Sequence, residues 1–174
     1  MTTSACTLGR QRRGSRDGRV RAAGFTLIET IVVVALLGIV ATIAAPGFTS
    51  FIGTMNSKSV AFDLINDLTI ARSEAIKRNA TTSLVPVAGD WSKGWRVLDA
   101  GGGILRERAA LSSSLSVSGA TLATVVFRPN GRLSLDTVDT NLAWSISSAI
   151  SGVTARCVVI SPTGAARSKT GACS

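Results

Sequence analysis

Residues 24–45 read Gly-Phe-Thr-Leu-Ile-Glu-Thr-Ile-Val-Val-Val-Ala-Leu-Leu-Gly-Ile-Val-Ala-Thr-Ile-Ala-Ala. A bilayer core takes about 20 apolar residues of helix to cross, and residues 25–45 supply 21. One carboxylate, Glu29, stands near the start of the run. An acidic side chain at mid-depth costs about 2.5–3.5 kcal/mol on insertion scales. A plain anchor has no reason to carry that cost. A helix whose Glu29 meets a cation does, because two charges buried together are tolerated where one alone is not.

Working outward, the segment before the run is basic. Arg10, Arg12, Arg13, Arg16, Arg19 and Arg21 stand against Asp17, a net of +5 out of the chain's +9. Positive charge stays on the cytoplasmic side of a membrane, so the sequence after residue 45 is expected outside the cytoplasm. An ordinary secretory signal has an apolar region of about 7–15 residues, cut after it. This run is longer than that.

Gly24-Phe25-Thr26-Leu27-Ile28-Glu29 resembles the processing motif of type IV prepilins. The resemblance implies cleavage between Gly24 and Phe25 by a prepilin peptidase, N-methylation of Phe25, and loss of residues 1–24 as a leader. It also implies that Glu29 pairs with the N-terminal ammonium of a neighbouring subunit during filament assembly.

Beyond the run the chain reads as α+β: a long N-terminal helix of the pilin type, packed on an antiparallel β domain. The helix spans residues 25 to about 78, with 25–45 in the membrane and 46–79 as its amphipathic continuation. Pro46 predicts a kink or local unwinding. Phe48, Phe51, Ile52, Met55, Phe62, Ile65, Leu68 and Ile76 suggest the face that packs on the domain, with a soft patch around Asn56 to Ser59. Asp63, Asp67, Arg72, Glu74, Lys77 and Arg78 supply the wetter faces, and Asn79 is a stop. From residue 80 to 174 short β-branched runs alternate with Gly, Pro, Ser and Asn. Strands are predicted at 81–88, 94–99, 103–108, 113–117, 122–128, 132–136, 142–148 and 154–161. Pro129-Asn130-Gly131 is a hairpin turn.

Cys157 and Cys173 follow the membrane segment, in a compartment where disulfides persist if it is oxidising. A bridge between them closes a loop worth about 3 kcal/mol in the chain-entropy model; two free thiols are the alternative. No metal or other cofactor is expected, since the chain has no His and two Cys fall short of a four-ligand set. Catalysis is not expected either: no nucleophile stands beside a base, and Gly101-Gly102-Gly103 lacks the following helix and Lys of a phosphate-binding loop.

Three further stretches resemble the GspH/FimT family of minor pilins and pseudopilins. They are Ile70-Ala71-Arg72-Ser73-Glu74-Ala75-Ile76-Lys77-Arg78-Asn79, Asp90-Trp91-Ser92-Lys93-Gly94-Trp95-Arg96-Val97, and Phe127-Arg128-Pro129-Asn130-Gly131-Arg132. The plain physical reading of Trp91 and Trp95 is core, because large aromatics bury 150–250 Å² each. The resemblance implies an inner-membrane, single-pass subunit with its domain in the periplasm. Its partners would be the peptidase, other pilins or pseudopilins and an assembly platform.

Three functions follow from it: structural subunit of a type IV pilus, DNA-binding minor pilin for DNA uptake, or pseudopilin of type II secretion. DNA-binding members carry Gly-Arg-x-Arg between two such cysteines. Here those positions are Gly164, Ala165, Ala166 and Arg167, so the first Arg is absent while Lys169 is added. Arg156, Arg128 and Arg132 are the cations that compensate if they share a face. Such contacts hold phosphates without reading bases.

Overall fold

The computed structural model describes residues 24–119, 124–134 and 142–173, apart from the side chains of 45 and 46. The chain divides between Val40 and Ala41 into two compact units. Helix α1 runs over Leu27–Arg78. Its start is a reciprocal cap. Thr26 Oγ1 accepts from the Glu29 amide at 3.3 Å, and the Thr26 amide donates to the Glu29 carboxylate at 3.4 Å. This pairing satisfies two of the amides that a helix start leaves without partners. Leu27–Ala44 is long and apolar enough to cross a membrane by length and composition, with mean hydropathy 2.6 and none of it buried. The helix continues through position 46, where the sequence predicts a kink, and through 56–59.

The helix stops at a left-handed Asn79, φ 49°. The Ala80 amide reaches the Ala75 carbonyl and the Asn79 amide that of Ile76, both at 3.2 Å, the two bonds of a Schellman cap.

Within the second unit the buried stripe of α1 differs from the expected one. Gly53, Ser57, Val60, Ala61, Leu64, Asp67, Leu68, Ala71 and Ala75 are buried. Of the apolar residues expected to face the domain, only Leu68 is buried and Ile65 half-buried, while Phe48, Phe51, Ile52, Met55, Phe62 and Ile76 are exposed. The reason is distance. A Cβ on Gly53 would sit 2.7 Å from Val153 Cγ2, so no side chain fits there, while Val60, Leu64 and Leu68 pack farther along the same face.

Among the described residues eight strands follow: β1 (Thr82–Val87), β2 (Asp90–Leu98), β3 (Ile104–Arg108), β4 (Leu115–Gly119), β5 (Val125–Phe127), β6 (Leu142–Ser148), β7 (Arg156–Ile160) and β8 (Ala166–Thr170). They form two antiparallel sheets, ordered β3-β2-β1-β5 and β4-β6-β7-β8. Ser92 joins them: its carbonyl accepts from the Leu111 amide and its Oγ from the Val117 amide, at 2.9 and 3.0 Å. Trp91 of β2 meets Trp144 of β6 edge-on, ring centroids 5.4 Å apart. Leu64, Leu68, Leu84, Trp95, Phe127, Trp144, Ile146, Val158 and Ile160 fill the core between helix and sheets.

The predicted strand at 132–136 reduces to a single bridge, Phe127 to Leu133, and residues 135–136 lie outside the described ones. β8, by contrast, is a strand the sequence does not advertise. It sits at a sheet edge and reads Ala-Arg-Ser-Lys-Thr, with no apolar residue alternating inward beyond Ala166.

Candidate functional site

Three places gather the candidate residues, two of them singled out by sequence. The first is the helix start. Gly24 has nothing within 4 Å of a built Cβ, and Phe25 is 80% exposed. Glu29 is also exposed. Its carboxylate rests on the Thr26 amide, one residue from the Phe25 nitrogen.

The second place was missed by sequence reasoning. Asp67, expected on a wet face, is buried: its side chain is 1% exposed. Trp95 Nε1 donates to its Oδ2 at 2.8 Å. Arg106 Nε lies 2.7 Å from Oδ1, and Arg108 Nη2 lies 3.4 Å from Oδ2 and 3.1 Å from Asp63. The Arg106 contact is an ion pair whose N–H is not aligned as a hydrogen bond. Asp67 therefore ties α1 to β2 and β3. The remaining acids of this half are also engaged. Glu107 pairs with Arg96 at 2.7 Å, and Asp99 accepts from the Gly101 and Gly103 amides. Glu74 takes Arg78 Nε at 2.6 Å, which holds its carboxyl below the usual carboxylate range.

The third place is the second sheet and its turns. Cys157 and Cys173 are joined as a disulfide, Cα atoms 5.0 Å apart, with Cys157 fully buried. The Pro129-Asn130-Gly131 turn closes through Gly131 N to Arg128 O at 2.8 Å and Arg128 N to Arg132 O at 2.9 Å. It docks on the turn at 161–165, where Leu133 N reaches Pro162 O at 3.1 Å. Arg72 Nε, from α1, donates to the Gly131 carbonyl at 3.0 Å. Gly164 has φ +80°, and a Cβ there would collide with the Gly131 carbonyl. Gly164 is thus a packing requirement of the docked turns, whatever else its motif does.

These contacts place the candidate cations in three groups. Arg128 and Arg132 flank the docked turn, and Arg128 Nε also reaches Ser134 Oγ at 3.3 Å. Arg167 and Lys169 alternate along β8, opposite Val159 and Cys157 of β7. Arg156 is opposite Thr170 and shares the parity of Val158 and Ile160, which face the core. It therefore does not share a face with Arg167 and Lys169, so the condition for it to compensate is not met on this sheet. No ion pair among the described residues involves Arg132, Arg156, Arg167 or Lys169.

Comparison with known proteins bears on the family of the chain. The family model described as Type II transport protein GspH matches residues 61–164, and that of the prokaryotic N-terminal methylation motif matches residues 19–45. Fimbrial protein Q of Moraxella bovis is 33% identical over 101 residues, 58% of this chain and 62% of that protein. The chain therefore matches less than two thirds of that relative's length.

Two solved structures share the fold. One is the type IV minor pilin FimU of Pseudomonas aeruginosa, with TM-score 0.54, 24% identity and coverage of 64% of this chain and 91% of that one. The other is the minor pseudopilin EpsH of the Vibrio cholerae type 2 secretion system, with TM-score 0.50, 15% identity and coverage of 66% and 97%. The long helix and antiparallel sheets agree with these structures, and by the family-model match over residues 61–164 the chain belongs to the GspH family of minor pilins and pseudopilins.

Proposed function

We propose that the protein is a structural minor pilin that joins a type IV pilus, and not an enzyme. The observation that carries this is the methylation-motif match over residues 19–45, laid on an apolar helix that is exposed along its whole membrane-length stretch. In this reading prepilin peptidase cuts between Gly24 and Phe25, and Phe25 is N-methylated. Residues 25–45 then hold the chain in the inner membrane, with residues 46–79 and 80–174 on the periplasmic side. Glu29 pairs with the Phe25 ammonium of a neighbouring subunit, and the helix passes from lipid into the filament through the assembly platform. Similarity to Fimbrial protein Q, and the type IV pilus role printed for FimU, favour a pilus over a secretion pseudopilus. The fold likeness to EpsH keeps type II secretion as the alternative.

Gly24→Ala should leave an unprocessed, larger band on a gel; a mature-sized product would sink the peptidase reading. Glu29→Ala should be processed normally yet stay out of filaments. Wild-type incorporation of that variant would remove the charge-pair role.

One observation favours a second reading, DNA binding. After Arg108 the sequence carries Arg128, Arg132, Arg156, Arg167 and Lys169 against Asp136 and Asp139, a net of +3. Of these cations, Arg156, Arg167 and Lys169 stand on strands of the second sheet. The test is DNA binding at stepped salt: affinity from phosphate contacts falls steeply as salt rises, and no binding at low salt ends this reading.

A further inference from the structure

Register settles which way the backbone groups of β8 point. The Gly171 amide donates to the Ala155 carbonyl at 2.8 Å, and the Ser161 amide to the Ala165 carbonyl at 3.0 Å. Those pairs lie just beyond the two ends of the β7–β8 ladder, which matches Arg156 with Thr170 and Ile160 with Ala166. Hydrogen-bonded and non-hydrogen-bonded pairs alternate along an antiparallel ladder. Arg167 and Lys169 therefore direct their N–H and C=O groups to Val159 and Cys157 of β7, while Ala166, Ser168 and Thr170 turn theirs outward. β8 ends its sheet, and among the described residues no backbone bond reaches those outward groups. The tail leaves this edge open. Cys173 is bonded to Cys157 of β7, and its Sγ lies 3.1 Å from the Trp144 carbonyl of β6, so the chain end crosses inward over the sheet. Ser168 faces the core side beside Val158, and its Oγ is buried with no hydrogen-bond partner among the described residues. Arg167 and Lys169 are exposed on the other side. β3, which ends the first sheet, differs: Arg106 and Arg108 meet Asp67, and Glu107 meets Arg96.

We infer that the open edge of β8 is a docking site for an extended acidic segment of a partner protein, which adds to the second sheet as a further strand. The edge alternates N–H and C=O groups. A peptide backbone matches both, whereas phosphate oxygens only accept. Arg167 and Lys169 set the charge of the segment. In the new ladder they take non-hydrogen-bonded positions, where facing Cα atoms are about 4.5 Å apart and side chains come nearest. A carboxylate opposite each cation is favourable, and a second cation there is not. The same rule turns away a second copy of this strand: antiparallel pairing about Ser168 sets Arg167 opposite Lys169 of the copy. Cations guard an exposed edge against self-pairing, and here they leave acidic strands acceptable. The inference goes beyond the pilus reading and makes no use of nucleic acid.

The test uses the full-length protein in neutral detergent and a labelled synthetic peptide of alternating valine and aspartate. Peptide anisotropy reads binding, and amide hydrogen exchange reads its place. The peptide should bind, more weakly as salt rises. It should slow exchange at Ala166, Ser168 and Thr170 and leave Arg167 and Lys169, already bonded to β7, unchanged. With aspartates opposite the two cations, the valine amides face β8. Methylating the valine amides should weaken binding on the order of tenfold, and methylating the aspartate amides should not. Arg167→Glu/Lys169→Glu should reverse the choice, favouring the alternating valine–lysine peptide on the order of tenfold. Equal loss from the two methylated peptides, an unreversed choice in the charge-swapped variant, or slowed exchange confined to other elements overturns the inference. Failure of the aspartate peptide to bind at low salt overturns it as well, and duplex DNA binding in the same assay would then assign the two cations to nucleic acid.

Discussion

Asp67→Asn is the substitution that most sharply tests how the helix is held to the sheets. The carboxylate is 1% exposed, but its partners are not: the Arg106 side chain is 40% exposed and that of Arg108 28%. Breaking a fully buried pair costs about 3–5 kcal/mol. Here the arginines regain water once Asp67 is neutral, which discounts that figure toward the value of exposed pairs. The other term is the Trp95 Nε1 bond at 2.8 Å. A bond to a charged acceptor is worth about 1.5–3 kcal/mol, and a neutral amide keeps roughly half of that. Asp67→Asn should therefore cost about 2 kcal/mol. Asp67→Ala should cost about 3–4 kcal/mol, because the buried Trp95 N–H then has no acceptor. For a unit of this size 2 kcal/mol lowers Tm by about 8 °C. Trp91, Trp95 and Trp144 all lie in the Ala41–Ser174 unit and are buried, so intrinsic fluorescence on heating or in urea reports its unfolding. An Asn variant within about 0.5 kcal/mol of wild type would refute the argument, since surface changes alone stay within that range. An Asp67→Asn/Arg106→Met cycle adds a second check. Strict additivity would show that the 2.7 Å ion pair contributes nothing.

Other expectations follow from the turns, the tail and the helix end. Gly164→Ala and Gly102→Ala share a left-handed backbone, φ +80° and +81°, but only the first meets a carbonyl; Gly102→Ala should cost about 1 kcal/mol and Gly164→Ala clearly more, and equal melting temperatures would remove the docking argument. Cys157→Ser/Cys173→Ser opens a loop whose ends are 16 residues apart and should cost about 3 kcal/mol, read as a fall in the urea midpoint; an unchanged midpoint would show that the tail is not needed to hold β8. Glu74 is held low by its Arg78 hydrogen bond, so its contribution is present above the unfolded carboxylate value of about 4.3 and is lost as pH falls through the lower folded value. Glu74→Gln should therefore narrow the gap from wild-type Tm only in acid, and a gap that widens there would contradict the sign.

Much of this architecture is legible from residues alone, and the failures share one cause. The membrane run, the helix stop at Asn79, the strands around Leu84, Trp95 and Phe127, and the disulfide partners are signalled locally, by run length, by turn chemistry or by there being only two cysteines after the membrane segment. What sequence misplaces depends on how closely two elements approach. Periodicity marks Phe48, Phe51, Met55 and Phe62 as a face, and they are a face, but the exposed one. The domain takes the face of Gly53, Ser57, Val60, Ala61, Leu64, Leu68, Ala71 and Ala75 instead, where a close approach such as that of Val153 at Gly53 leaves no room for a side chain. Asp67 falls on that same face, between Leu64 and Leu68. Its signal was available: Arg106 and Arg108, two apart on a strand, point to one side, and two cations on the inner side of a sheet require a carboxylate opposite them. β8 escaped for the converse reason. An edge strand whose outer face is Arg167 and Lys169 has only Ala166 to show the core, so its hydrophobic pattern is nearly silent and only its pairing with β7 reveals it. That pairing also separates Arg156 from Arg167 and Lys169, since neighbours in register share a face only when their parities agree. The candidate cations thus sort by register rather than by their nearness in the chain, and register is the property that composition and spacing carry least.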